Sequence, residues 1–289
     1  MKNKQMKTLK NAVGKIDYTL MNDCMFHSVM TKNGNVLKGL LCALLHLKPD
    51  EVQSITILNP IELGDDIRSK SFILDIKLLL NDTKIINIEL QVRPQYYWND
   101  RSLIYLCRLF DNLQKGEPYS DVMPAYHISL LDFTPFPEHP AFYATNKMMN
   151  VQKHYIYNDK FTLNVLDLNQ IERATDEDKQ WKLDYWARLF KAETWEGLKM
   201  LAQQDNDFQE TCETIFRLNQ DEKVRCLCQA REEAERIERT IKHDYEIYEK
   251  SLAEKDAIIA DQSHALAEKD NALAEKDAQI AMLMAQLNQ

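Results

Sequence analysis

The fold of this chain is decided by two short apolar segments: FILDIKL at residues 72–78 and IINIELQ at residues 85–91. Their length and β-branched content predict two buried strands, and the polar residues between them predict a turn that joins the strands into a hairpin. An acidic side chain in an apolar strand is unfavourable unless it is paired or binds a metal. Asp75 and Glu89 both stand in this hairpin, which is therefore the first place to look for a function.

The loop of the predicted hairpin decides whether the two acids meet. Side chains alternate between the faces of a strand, so Asn87, Glu89 and Gln91 share one face. A loop at 81–83 pairs Asp75 with Glu89 across the hairpin, and we adopt that register. A two-residue loop would shift the pairing by one and place the acids on opposite faces.

Two neighbouring carboxylates repel each other unless a cation lies between them. A hard cation such as Mg²⁺ suits two carboxylates, water and a substrate phosphate, and it can activate water for phosphodiester cleavage. Gln91 could orient the attacking water, and Arg101 on the next helix could contact the phosphate. The alternative is an ordinary solvated strand face in which Lys77 pairs with Glu89.

Apolar periodicity predicts the elements around the hairpin. Two helices within 22–47, broken at Asn33-Gly34, precede a strand at 52–58, the hairpin strands at 68–80 and 84–92, a helix at 98–114 and a strand at 122–133. This order, helix-strand-strand-strand-helix-strand, predicts an α/β fold. Beyond it we expect an excursion or edge loop at 135–150, a strand at 161–168, and helices from Asp176 onward.

The C-terminal segment has a different pattern, in which LAEKD occurs at 252–256, 266–270 and 273–277. Apolar residues recur every seven positions at Tyr245, Leu252, Ile259, Leu266, Leu273, Ile280 and Leu287. This stripe predicts a coiled coil and hence a homo-oligomer. The second column of the heptad is largely polar, so a solvated single helix is the alternative.

Charge is unevenly distributed along the 289 residues, whose net charge is −9. Residues 1–130 carry 16 Lys and Arg against 14 Asp and Glu, whereas the remainder carries 20 against 31. The part with the acidic pair is therefore compatible with a nucleic-acid partner despite the acidic average. No apolar stretch is long enough for a membrane span and no secretory signal is visible, so we expect a cytoplasmic protein without a membrane partner.

An ordered set of motifs resembles the PD-(D/E)XK nuclease superfamily and, more narrowly, the PD-(D/E)XK nuclease family transposases, also called recombination-promoting nucleases. The matching segments are NDCMF at 22–26, LDI at 74–76, INIELQ at 86–91, RSLIY at 101–105, GEPY at 116–119 and AYHIS at 125–129. The resemblance is good over 20–135, thinner to about 230, and absent from the heptad tail.

The resemblance implies a restriction-endonuclease-like core and a metal-dependent DNA endonuclease linked to recombination or transposition. It implies Asp75 and Glu89 as metal ligands, with the Leu90 carbonyl as a third. Gln91 takes the place of the superfamily's lysine. Mg²⁺ or another divalent cation is the implied cofactor, and DNA is the implied partner.

Two further positions have open alternatives. Arg101 and Tyr105 lie four apart on one helix face, where they could meet a phosphate or pack as stem and ring over the sheet. Asp23 could complete the acidic cluster from the first helix, or it could be the N-cap of that helix.

We expect four segments: a flexible basic tail at 1–16, a nuclease-like domain at 17–170, a helical region at 171–235 and a coiled-coil tail at 236–289. The functional alternatives are a non-catalytic coiled-coil adaptor that retains a nuclease-like fold, and an RNA-directed nuclease.

Overall fold

The protein is described by a computed structural model that covers residues 8–58, 75–203 and 206–287. The described residues up to Arg231 form one compact unit, and those from Glu232 form a second. The helices are α1 (Asp23–Lys32), α2 (Gly34–Leu45), α3 (Trp98–Phe110), α4 (Asp176–Gln180), α5 (Leu183–Phe190), α6 (Trp195–Ala202), α7 (Asn206–Gln220) and α8 (Glu222–Leu287). The strands are β1 (Ile55–Ile57), β2 (Ile76–Leu80), β3 (Lys84–Gln91), β4 (Ala125–Leu131), β5 (Tyr143–Lys147) and β6 (Phe161–Asp167).

The strands form one six-stranded mixed sheet in the order β1-β2-β3-β4-β6-β5. The central strands β3, β4 and β6 are parallel, while β1, β2 and β5 each run antiparallel to their neighbour. From α1 to β4 the elements follow the predicted succession. The predicted α/β class is therefore confirmed.

Helices cover both faces of the sheet because its strands are apolar on both sides. Leu78 and Ile88 are fully buried in the core that the sheet shares with α1 and α2. On the opposite face, Leu106 and Leu109 of α3 pack against Ile85. The polar residues of the hairpin lie on this α3 face.

The turn between β2 and β3 fixes how the two strands align. Asn81 and Asp82 both have φ of 53°, a left-handed conformation that Asn and Asp tolerate better than most residues. The Asn81 side chain accepts hydrogen bonds from the backbone N–H groups of Gln53 and Ser54, at 2.8 and 3.1 Å. Its amide also donates to the Glu51 carbonyl at 2.7 Å, so the turn is held against the preceding chain.

The register of the hairpin is the one that brings the acids to the same face. Lys77 pairs with Asn87 and Ile76 with Ile88, which leaves residues 81–83 as the loop. The predicted register is confirmed, and the register shifted by one residue is wrong. Of the predicted strand at 68–80, residues 68–74 lie outside the described residues.

One strand differs from the sequence-based expectation. The segment predicted as an excursion or edge loop at 135–150 contains β5, which pairs with β6 at the edge of the sheet. The sequence obscured it because three prolines precede the strand and because its residues are YATNK, without an apolar alternation. A polar strand with a terminal lysine is typical of a sheet edge, where it discourages further pairing.

The described part of the predicted N-terminal tail, residues 8–16, lies against α6. The backbone N–H of Gly14 donates to the Glu196 carboxylate at 3.1 Å, and Lys199 Nζ donates to the Ala12 carbonyl at 2.7 Å. The predicted segment boundaries stay predictions.

The second unit is the remainder of α8. Its apolar heptad residues have exposed fractions between 54% and 66%; they are Tyr245, Leu252, Ile259, Leu266, Leu273 and Ile280. The predicted coiled coil stays a prediction. In the described ranges, no helix combines the length and apolar character needed to cross a membrane.

Candidate metal centre

A buried polar patch lies on the α3 face, where β3 and β4 run side by side. The parallel register pairs Asn87 with His127 and Glu89 with Ser129. His127 and Ser129 are fully buried, and Glu89 is only 3% exposed. Buried polar groups are stable only when they are satisfied by partners, so the contacts within the patch determine its chemistry.

Asp75 directly precedes β2. It lies one position beyond Ile76, whose partner in the β2–β3 ladder is Ile88, and Glu89 follows Ile88 in β3. Burial, and after it the charge of Glu89, raise the pKa of the Asp75 carboxyl to about 7. The charge of Arg101 and a hydrogen bond from Asn87 act in the opposite direction. Asp75 and Glu89 are thus electrostatically coupled, as expected for a carboxylate pair on one face.

Glu89 has a different partner on each carboxylate oxygen. Oε1 accepts a 2.5 Å hydrogen bond from Arg101 Nη2. Oε2 lies 3.5 Å from His127 Nε2, beyond ordinary hydrogen-bond distance. Among the described residues this buried oxygen has no hydrogen-bond partner, so its lone pairs are available to a cation.

The backbone near Glu89 adds one more oxygen. The Gln91 carbonyl accepts a hydrogen bond from Asp132 N–H, on the β4 side of the strand. Because successive carbonyls of a strand point to opposite sides, the Leu90 carbonyl points toward the side of β2 and Asp75. The Gln91 side chain is half-buried, and its amide donates to the Arg93 carbonyl at 3.1 Å.

These oxygens fit a hard divalent cation. Two carboxylates and one carbonyl are the donors that Mg²⁺ prefers, with water completing its coordination. Of these oxygens, the buried Glu89 Oε2 has no hydrogen-bond partner among the described residues. Within residues 8–58, 75–203 and 206–287, no three His, Cys, Asp or Glu side chains group into a metal site, so a cation here would depend on the pair and the backbone.

Arg101 and Tyr105 stack against each other over the sheet. The guanidinium carbon of Arg101 lies 5.1 Å from the centre of the Tyr105 ring, and Nη1 donates to Gln95 at 2.7 Å. Tyr105 in turn meets the His127 ring edge-on, with 5.8 Å between ring centres. The Arg101 side chain is 33% exposed, so it lies between the buried acids and solvent.

Asp23 lies near the pair but is bound elsewhere. Its Oδ2 accepts a 2.7 Å hydrogen bond from Arg231 Nε at the start of α8. Asn22 is the N-cap of α1, so the alternative of Asp23 as N-cap is wrong. The charge of Asp23 still contributes, last among several causes, to the raised pKa of Asp75.

His127 and Ser129 belong to the patch, although the sequence analysis assigned no role to either. A signal was present in AYHISLL at 125–131, where two polar residues stand two positions apart in an otherwise apolar strand. Asn87 and Glu89 show the same spacing in β3. In a sheet with buried faces, this spacing places both polar side chains on one side.

Comparison with known proteins gives one positive result. A family model described as PD-(D/E)XK nuclease family transposase matches residues 20–244, which include every residue of the patch. Searches of the curated proteins and of the solved structures find no match.

Proposed function

Because the chain belongs to the PD-(D/E)XK nuclease family transposases, we propose that it is a metal-dependent DNA endonuclease whose cleavage serves recombination or transposition. The observation that carries this proposal is the coupled pair of acids on a buried face, Asp75 with its raised pKa and Glu89 with an unpartnered oxygen. An ion pair of Glu89 with Arg101 requires only one carboxylate, whereas a cation site requires the second carboxylate of Asp75 as well.

Each residue of the patch has a role in this proposal. Asp75, Glu89 and the Leu90 carbonyl hold the divalent cation, for which Mg²⁺ is the best match. When bound, such a cation lowers the pKa of a water molecule and stabilises negative charge on a phosphate. Gln91 orients the attacking water at the end of β3. Arg101 contacts the DNA phosphate from its half-exposed position beside Tyr105.

The partners proposed for the chain are DNA and further copies of itself. The exposed heptad residues of α8, repeated from Tyr245 to Ile280, would pair between chains as a coiled coil. Two joined chains bring two active sites to one duplex, which suits cleavage of both strands. We place the protein in the cytoplasm.

A second candidate, a non-catalytic adaptor that keeps a nuclease-like fold, is favoured by one contact. The guanidinium of Arg101 already neutralises Glu89 at 2.5 Å. If that ion pair is permanent, the Glu89 carboxylate cannot bind a cation and the patch only stabilises the fold.

Nicking of supercoiled plasmid in the presence of Mg²⁺ tests the proposal. We expect Asp75→Asn and Glu89→Gln to reduce nicking to below about one hundredth of the wild-type rate, because each loses a cation ligand. Asp184→Asn is the matched control, since Asp184 is also a buried acid but lies on α5. Unchanged nicking by folded Asp75→Asn protein would rule out the proposed mechanism.

A further inference from the structure

Two buried residues of the patch lie between the two acids. Asn87 and His127 are neighbours in the β3–β4 register, with 3.2 Å between Asn87 Nδ2 and His127 Nδ1. Asn87 also hydrogen-bonds the Asp75 side chain. On its other side, His127 Nε2 lies 3.2 Å from Ser129 Oγ and 3.5 Å from Glu89 Oε2. Polar groups therefore fill the space between the two acids, with hydrogen bonds from Asp75 as far as Ser129 and a longer approach of 3.5 Å to Glu89.

The chemistry of these contacts determines which nitrogen of His127 carries the proton. The hydrogen bond from Asn87 lowers the pKa of Asp75, so the Asn87 amide donates its NH₂ group to that carboxyl. The same Nδ2 atom is the one facing His127 Nδ1, and an amide nitrogen only donates. Nδ1 is therefore an acceptor, and in the neutral ring the proton resides on Nε2.

The surroundings of the ring keep this proton directed at the site. His127 has no solvent exposure, and Tyr105 lies edge-on to it. The Nε2–H group faces the Ser129 hydroxyl and the unpartnered Glu89 Oε2. It thus approaches Glu89 from inside the protein, on the side away from Arg101 and solvent.

We propose that Asn87 and His127 are positioning residues that hold Asp75 and Glu89 in the orientation in which they bind the cation. The inference rests on the proposed function and deepens it. Asn87 hydrogen-bonds Asp75 and fixes the tautomer of His127, whose Nε2–H points at Glu89 Oε2 from 3.5 Å and attracts that carboxylate electrostatically. Such contacts behind the ligands set ligand orientation and metal affinity.

The tautomer is measured first, in wild-type protein without added metal. Nitrogen-15 NMR of the histidine side chains at mildly alkaline pH distinguishes a protonated from an unprotonated ring nitrogen. The His127 signals are assigned by their absence from His127→Gln protein. We expect Nε2 protonated and Nδ1 unprotonated. A proton on Nδ1 would overturn the inference, whatever the protein does with metal.

Two variants of His127 then separate positioning from packing. Gln places an amide nitrogen close to the position of Nε2, so His127→Gln keeps a donor facing Glu89. Asn reaches only as far as Nδ1, so His127→Asn keeps the contact with Asn87 and loses the one with Glu89. With Mn²⁺ as the titrant in calorimetry, we expect His127→Asn to weaken binding about tenfold or more, and His127→Gln to stay within about threefold of wild type.

The outcomes separate this inference from the proposed function. Equal affinities in both variants, whether weakened or unchanged, would overturn the positioning role while leaving the metal site intact. Absence of Mn²⁺ binding by the wild type would contradict the proposed function itself. If His127→Asn does not fold, the tautomer measured in the wild type decides the inference alone.

Discussion

Arg101 Nη2 lies 2.5 Å from Oε1 of Glu89, so a partly exposed arginine and a buried acid form one ion pair at the edge of the patch. The other oxygen of the same carboxylate has no hydrogen-bond partner among the described residues. Glu89 therefore has a cationic partner on one side and spare acceptor capacity on the other. A divalent cation and the guanidinium compete for this carboxylate, which makes Arg101 the residue that most directly separates the nuclease from the adaptor.

Replacement of Arg101 by Gln removes the competing charge. Without divalent metal, we expect the free energy of unfolding to fall by on the order of 1–3 kcal/mol, because Glu89 is left buried without its counterion. Saturating Mg²⁺ should reverse most of this loss, and the Mg²⁺ concentration for half-saturation should decrease. Denaturant unfolding with and without Mg²⁺ measures both effects.

Arg108→Gln is the matched control for this change. Arg108 is in the last turn of the same helix and is exposed. The Arg108→Gln variant should leave both the free energy of unfolding and its response to Mg²⁺ unchanged. A half-saturating Mg²⁺ concentration that is unchanged or higher in Arg101→Gln would contradict competition, and the absence of any Mg²⁺ effect on the wild type would favour a permanent ion pair.

The raised pKa of Asp75 predicts a pH dependence of metal binding. A cation binds the carboxylate and not the carboxylic acid, so binding must release the proton. With a pKa of about 7, we expect the apparent Mg²⁺ affinity to rise by up to about tenfold per pH unit below pH 7 and to level off above it. Calorimetric titration across this range checks the result, and a flat affinity profile would contradict it.

In the absence of metal, the raised pKa of Asp75 makes the folded protein less stable as pH rises. The pKa of Asp75 is raised from 3.8 to about 7 on folding, so the folded protein binds this proton more tightly than the unfolded chain does. Stability is therefore lost as pH rises from about 4 to about 7. We expect Asp75→Asn to melt a few degrees above wild type at pH 8 in chelator and at the same temperature near pH 4. If the wild type were more stable than the variant at pH 8, the ionised Asp75 carboxylate would not destabilise the folded protein, and the prediction would be contradicted.

The heptad stripe of α8 predicts self-association. Lysines at Leu266 and Leu273 would place charges in the apolar column, so we expect the double variant Leu266→Lys, Leu273→Lys to be monomeric where the wild type is oligomeric. Light scattering after size exclusion measures the mass. Ala267→Lys with Ala274→Lys is the control, because it adds the same charge outside the column. A monomeric wild type would favour the solvated single helix.

The hairpin was predictable because its residues obey local rules. Asn81 and Asp82 suit a left-handed turn, and the alternation of β3 identifies which side chains share a face. The sequence could not provide the partners of Glu89, since Arg101 and His127 come from elements whose packing depends on the whole sheet. The ion pair of Asp23 with Arg231 was harder still to predict, because these residues lie 208 positions apart in the sequence, on α1 and α8.

Wild-type protein and Asp75→Asn protein, titrated with Mg²⁺ and followed by thermal unfolding, test the central claim most directly. If Asp75 and Glu89 hold a cation together, the wild-type melting temperature rises with Mg²⁺ concentration by mass action, and the rise is absent in the variant. Equal rises in both proteins, or none in the wild type, would contradict a metal centre built on these two acids.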